Sequence, residues 1–205
     1  MQRLLDGYRR FHSHIFPQKK RLYASLQNTC SDSRVQPVEF TCMEAVNMFM
    51  DRSIGNIVPP PGHGEHEAEA VVEYAVVALG VEHVIICGHS ECGAMKALLD
   101  PQSTKGMPSV AAWLKNAEST LASVERKYGH LEGQALLDAT TRENVLVQLG
   151  NLKKIPCVAE RLAEGKLSLH GWVFELEHGQ LDASDPGIDR FIAISHAYKI
   201  RKDQA

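Results

Sequence analysis

From His83 to Lys96 the chain reads His-Val-Ile-Ile-Cys-Gly-His-Ser-Glu-Cys-Gly-Ala-Met-Lys, and this stretch leaves little choice of fold. The β-branched run Val84-Ile85-Ile86 is too short and too stiff at χ1 to be a helix of its own, and helix formers follow it after a glycine. The pattern predicts a buried strand running into a helix. At the junction stand Cys87, His89 and Cys92, and a His-x-x-Cys pair on a tight strand-to-helix turn can aim an imidazole nitrogen and a thiolate at one point. Two such ligands suit zinc. One buried Cys and one His also occur as a small hydrophobe and a satisfied polar group, so the metal reading depends on the rest of the chain.

With 205 residues, 44% of them hydrophobic, the chain is large enough for one real core. We expect a single domain over 1–205, with 1–26 as a helical arm. A net charge of -3 argues against nucleic acid as a partner. No apolar run approaches the roughly 18 residues that a membrane span needs, so neither nucleic acid nor membrane is an expected partner. Met1 to Leu26 is basic, with Asp6 as its single acid, which superficially resembles a transit peptide; we read it as a mature amphipathic helix. Five cysteines, an odd number with no signal peptide before them, point to reduced thiols in the cytoplasm, where such residues bind metal or do chemistry.

In chain order, Leu4, Leu5, Tyr8 and Phe11 have helical spacing to His14, and Pro17 opens a second helical segment to about Leu26. Two short terminal helices with exposed aromatics suit packing on a neighbour. Cys30-Ser-Asp-Ser-Arg-Val35 is a turn-forming loop that places Cys, Asp and Arg within five residues. Met48-Phe49-Met50 reads as a buried strand, Arg52 to Asn56 as a turn, and Glu67 to Leu79 as a helix with Ala70, Val71, Tyr74, Ala75 and Leu79 on one side, ended by Gly80. After Ala94 the helix runs to Leu99. Val110 to His130 and Gln134 to Asn151 read as long amphipathic helices, and a short one follows Pro156. Lys166 to Leu176 alternates as a strand, Glu177 to Gln180 is a hairpin turn, and Leu181 with Phe191 to Ile194 offers the return. The pattern is α/β: a central, mostly parallel sheet flanked by helices, with an antiparallel edge hairpin and an N-terminal helical arm.

Cys30-Ser-Asp-Ser-Arg-Val35, Arg52-Ser-Ile-Gly-Asn-Ile-Val-Pro-Pro60, Cys87-Gly-His-Ser-Glu-Cys-Gly-Ala-Met-Lys96, Glu143-Asn-Val and Leu169-His-Gly-Trp172 together resemble a β-class carbonic anhydrase of the bacterial type. The resemblance implies zinc-dependent, reversible hydration of carbon dioxide to bicarbonate. It makes Cys30, His89 and Cys92 the Zn²⁺ ligands, leaving a fourth tetrahedral position open for chemistry. Asp32 and Arg34 become the dyad beside the metal: Asp32 orients the attacking hydroxide by accepting its hydrogen bond, and Arg34 keeps Asp32 ionised. Gly55 and Asn56 line the substrate pocket, and the assembly is a homodimer or homotetramer. Cys42 and Cys157 fit no ligand spacing, Cys87 ends the strand in the core, and His63 and His66 stay outside the site. Hydrolysis of CS₂ or COS on the same fold, or a zinc-binding scaffold without turnover, are the alternatives. Some relatives close the metal site at low pH with a Trp three residues before the first Cys and a Tyr two after the Gly-Trp tryptophan. Those positions are Gln27 and Phe174 here, so we expect an open, water-bearing site at neutral pH.

The departures concern the scaffold. Ala45-Val46 stands where the family has Pro-Gly. The family also places an apolar strand directly before the first zinc Cys, after a Gln-x-Pro linker, whereas this chain has Arg21-Leu-Tyr-Ala-Ser-Leu-Gln-Asn-Thr29. Dropping a central strand leaves backbone groups unpaired at on the order of 1–3 kcal/mol each. Either Leu22 to Thr29 turns from helix to strand, marginally stable with its polar end, or the neighbouring strands pair directly and move Cys30 away from His89 and Cys92. Weak zinc retention is the expected consequence. Inserting a Gln-x-Pro linker and an apolar strand before Thr29 should raise both zinc content and Tm; tight binding of one zinc per chain that the insertion leaves unchanged would show that the strand is supplied in another way.

Overall fold

The structure, a computed structural model, describes residues 1–24, 36–62, 66–185 and 190–194. Strands β1 (His83–His89), β2 (Ser168–Glu175), β3 (Gln180–Asp185) and β4 (Arg190–Ala193) form one sheet in that order. β1 and β2 are parallel, with Gly88 opposite Val173 and His89 opposite Phe174, while the pairings of β3 are antiparallel. Parallel neighbours need a crossover connection. Here it is made by α5 (Gly93–Leu99), α6 (Pro108–Leu114), α7 (Glu118–Tyr128), α8 (Gly133–Leu152) and α9 (Pro156–Ala163). The expected helix over 110–130 is broken by a 3₁₀ turn at Lys115–Ala117.

Successive side chains of β2 point to opposite faces. Trp172 and Phe174 enter one core, and Val173 enters the other with Ile86 of β1, Val145 and Leu152 of α8, and Val158 of α9. On that second face α8 lies close to the sheet. A Cβ on Gly171 would stand 2.8 Å from Val145 Cγ1 and 2.9 Å from Leu149 Cδ1, and one on Gly88 would stand 3.0 Å from Val145 Cγ2. The buried face of α8 is largely polar, with Thr140, Thr141, Glu143, Asn144, Gln148 and Asn151 on it, where apolar spacing alone had singled out its leucines and valines. Buried Glu143 is neutralised across the α7–α8 contact, accepting from Lys127 Nζ at 2.9 and 3.1 Å and from Ser123 Oγ at 2.6 Å.

The other face is covered by the N-terminal arm. α1 (Gln2–Arg10) passes through a π turn at Phe11–Ile15 into α2 (Phe16–Ala24), so Pro17 starts no separate helix. Proline has no N–H to donate and its ring crowds the carbonyl four residues back, and the wider π turn spans that position. The arm's aromatics, expected to be exposed, are buried on this chain's own sheet. Phe11 and Tyr23 pack on Phe174 with ring centroids 6.1 and 5.7 Å apart, and Phe40, from α3 (Pro37–Phe40), stacks on it at 4.5 Å. This packing also decides Leu22 to Ala24: they stay helical rather than joining a strand, because Tyr23 is locked into the aromatic core, 2% exposed. The remainder of the proposed strand, 25–29, lies outside the described residues.

Two further expectations are corrected. Met48-Phe49-Met50 forms no strand: Phe49 is 49% exposed and packs on Tyr74 at 5.9 Å instead of entering a core. The helix over 67–79 exists as α4 (Glu67–Glu73) and a π turn at Tyr74–Ala78, with Gly80 at φ 63 just beyond its end. The π turn shifts the helical phase, so Ala68, Ala75 and Val76 are buried while Tyr74 and Leu79 face outward.

Tyr8 pins the arm to the β2–β3 hairpin. Its hydroxyl accepts from the Leu181 amide at 3.0 Å and donates to the Gly179 carbonyl at 3.3 Å. Tyr8→Phe strands a buried N–H and should lower stability by about 1–3 kcal/mol in urea unfolding. In the same hairpin, burial alone would raise the Glu175 carboxyl pKa, but hydrogen bonds from the Glu177 and His178 amides and the His178 ring carry it below its ordinary value. A carboxylate with a depressed folded pKa adds stability above its unfolded pKa and loses it as pH falls through the folded value. Wild type should therefore melt above Glu175→Gln at pH 7, with the gap closing below about pH 4.5. Because the side chain is 31% exposed, water screens it and the gap should be small.

Candidate active site

β1 carries His89 to the end of the sheet, and the Ser90 amide extends the pairing by donating to the Phe174 carbonyl at 3.0 Å. His89 is buried, with Nδ1 2.8 Å from the Ser90 carbonyl. A carbonyl only accepts, so this contact places the ring proton on Nδ1 and leaves the lone pair on Nε2, the form in which imidazole binds a metal. Glu91 then turns the chain at φ 58, held by Lys96 Nζ donating to its carboxylate at 2.6 Å. Cys92 follows at the start of α5, 1% exposed and in no disulfide.

Gly55 and Asn56 come from a short turn, Ile54–Asn56, in which both residues have positive φ, 72 and 47. Glycine adopts this conformation freely and asparagine tolerates it better than most residues. A Cβ on Gly55 would stand 3.2 Å from Ala94 Cβ and 3.3 Å from Met95 Cε, so the turn lies directly on the helix that Cys92 precedes. Asn56 Oδ1 lies 3.6 Å from where a Cβ on Gly88 would be, and Asn56 Nδ2 is buried with no hydrogen-bond partner. A stranded amide donor costs on the order of 1–3 kcal/mol, which a ligand oxygen would relieve.

Gly55, Asn56, His89 and Cys92 border one cavity of about 830 Å³, with Met48 and Met50 among its other walls. The structure thus brings together four of the residues expected at the site. Cys30, Asp32 and Arg34 lie outside the described residues, as does His63. His66 pairs with Glu69 at 3.3 Å on the exposed start of α4. Burial pushes the Cys87 thiol up to about 12, and it packs at the edge of the aromatic core. Cys42 and Cys157 pack against opposite cores, away from His89 and Cys92.

Sequence reading missed what stands behind the 54–58 turn. Trp113 Nε1 donates to the Ile54 carbonyl at 2.8 Å, and from α8 Asn144, Gln148 and Asn151 bond Gly55 and Val58. The signal was three amides at i, i+4 and i+7, one stripe along a helix.

A family model described as carbonic anhydrase matches residues 26–181. A carbonic anhydrase of Pseudomonas aeruginosa is 40% identical over 210 residues, covering 98% of this chain and 95% of that protein. One from Synechocystis is 41% identical, covering 94% and 74%. Among solved structures, the β-carbonic anhydrase CcaA superposes with a TM-score of 0.77 at 41% identity, over 94% of this chain and 98% of that one. A tetrameric β-carbonic anhydrase of Sordaria macrospora gives 0.66 at 26% identity, over 87% and 90%. Likeness of this extent in both sequence and fold leaves one assignment: the chain belongs to the β-carbonic anhydrase family.

Proposed function

We propose that the protein catalyses the reversible hydration of carbon dioxide to bicarbonate and a proton, using one Zn²⁺ held by Cys30, His89 and Cys92. The observation that carries this reading is the meeting of His89, Cys92 and the unpartnered Asn56 amide on one cavity. The donor set fits the metal: Nε2 of His89 has its lone pair available, and Cys92, 1% exposed, borders the same cavity. When bound, zinc supplies the Lewis acidity that makes water ionise near neutral pH, a property for which carbonic anhydrases are themselves the standard example.

The chain's own residues do the rest. The Ser90 carbonyl fixes the tautomer and rotation of His89. Asp32 accepts a hydrogen bond from the attacking oxygen and so orients it, and Arg34 keeps Asp32 anionic. Asn56 Nδ2 donates to a substrate oxygen, which satisfies an otherwise orphaned group. The Met48 and Met50 walls suit an apolar gas. A homo-oligomer, dimer or tetramer, is part of this reading, supported by the tetrameric relative from Sordaria macrospora. So is a cytoplasmic setting: Cys42, Cys87, Cys92 and Cys157 form no disulfide, and no helix among the described residues is long and apolar enough to cross a membrane.

A stopped-flow indicator assay of CO₂ hydration tests the reading. Wild type should turn over, and Cys92→Ala should lose zinc and activity together, by more than the roughly 10–100-fold that partners outside the ligand set carry. Turnover of CS₂ or COS without CO₂ hydration would replace the assignment, and full zinc occupancy with no turnover on any of the three would sink it.

A further inference from the structure

The turn that carries Gly55 and Asn56 is held from behind by a directed chain of side-chain amides. Asn144 Oδ1 accepts from Thr120 Oγ1 at 3.1 Å and from Gln148 Nε2 at 2.9 Å, which forces Asn144 Nδ2 toward the Gly55 carbonyl, 2.8 Å away. Gln148 Oε1 accepts from the Val58 amide at 3.0 Å, and Asn151 Nδ2 donates to the Val58 carbonyl at 2.9 Å. Lys154 Nζ, donating to Asn151 Oδ1 at 3.2 Å, sets the orientation at the far end. None of the three amides can flip without breaking a bond to its neighbour. Thr120, Asn144, Gln148 and Asn151 are 0 to 2% exposed, so no water substitutes for a lost partner.

Such a row of buried amides is more than a helix needs in order to pack. Val145 and Leu152 already bury the same helix against the sheet. What the row adds is a fixed position for a loop in which Asn56 sits at φ 47, a conformation that asparagine tolerates but does not prefer. Released from Asn144, the 55–56 peptide can relax to negative φ, and the Asn56 carboxamide then swings away from Gly88 and the cavity.

We infer that Asn144 is a positioning residue for substrate: through the Gly55 carbonyl it holds the left-handed Gly55-Asn56 turn so that the Asn56 carboxamide stays at the cavity that Asn56 borders with His89 and Cys92, with Gln148 fixing Asn144 in turn. This rests on the function proposed above, and bicarbonate is the oxygen-bearing ligand that Asn56 receives. Asn151, which bonds the Val58 carbonyl and Gln148 rather than Gly55, serves as the control because its loss weakens the same ladder without freeing the Gly55 carbonyl.

Asn144→Ser and Asn151→Ser are compared as zinc-loaded proteins. Both should lose Tm by similar amounts and keep their zinc. Only Asn144→Ser should raise KM for bicarbonate, by about tenfold, below the roughly 100-fold that an ångström's misplacement of a reacting group can cost, with a smaller change in kcat. The side-chain amide NMR signal of Asn56, assigned by its loss in Asn56→Ala, should shift in Asn144→Ser and not in Asn151→Ser. If Asn144→Ser does not fold, Asn144→Asp carries the same comparison, since it keeps both acceptor bonds and loses the donor to Gly55. Equal KM in the two variants, or an unmoved Asn56 signal, overturns the inference. If wild type hydrates no CO₂, the proposed function fails, and the Asn56 signal still decides whether Asn144 positions the turn.

Discussion

The closeness of α8 to the sheet is the constraint on which the rest of this structure depends. Glycine at 88 and 171 lets Val145 and Leu149 rest where a β-carbon would otherwise stand. That approach brings the polar stripe of α8 within hydrogen-bonding reach of the 55–58 loop, and the loop in turn lies on α5 next to Cys92. The sheet end at His89, Cys92 and the Gly55-Asn56 turn are therefore referred to one helix. In an interior packed this tightly, displacement at any of these contacts is transmitted to the others rather than absorbed.

The opposite face of the sheet is organised by Phe174. Three rings from the arm and from α3, those of Phe11, Tyr23 and Phe40, surround it, and aromatic pairs of this kind each add about 0.5–1.5 kcal/mol beyond the area they bury. Phe174 is also the strand neighbour of His89, and its carbonyl accepts the Ser90 amide. The arm thus braces the strand end that delivers the histidine, which links the packing of a terminal segment to the geometry of the site.

Much of this was legible from residue order. The β-branched run before Gly88, the hairpin signal at Glu177 to Gln180 and the glycine after Leu79 each carry a local steric cause, and each produced the expected element. The failures also have local causes. Two π turns, at Phe11–Ile15 and Tyr74–Ala78, add a residue to the helical repeat, so faces drawn with a period of 3.6 come out misphased. Met48-Phe49-Met50 is an apolar run of the kind a buried strand shows, but a strand also needs a partner, and three residues do not reveal one.

What the sequence determined by itself is local: which turn tolerates left-handed backbone and where strand passes into helix, because these depend on side-chain type and on neighbours only a few positions away. Tertiary structure decided which polar residues matter. Asn144, Gln148 and Asn151 read as ordinary helix positions until the loop at 55–58 is folded against them, some 90 residues away in sequence, with Asn144 bonded to Gly55 and Asn151 to Val58. The physical reason is that a buried hydrogen bond is specified jointly by donor and acceptor, and a linear pattern shows only one of the two.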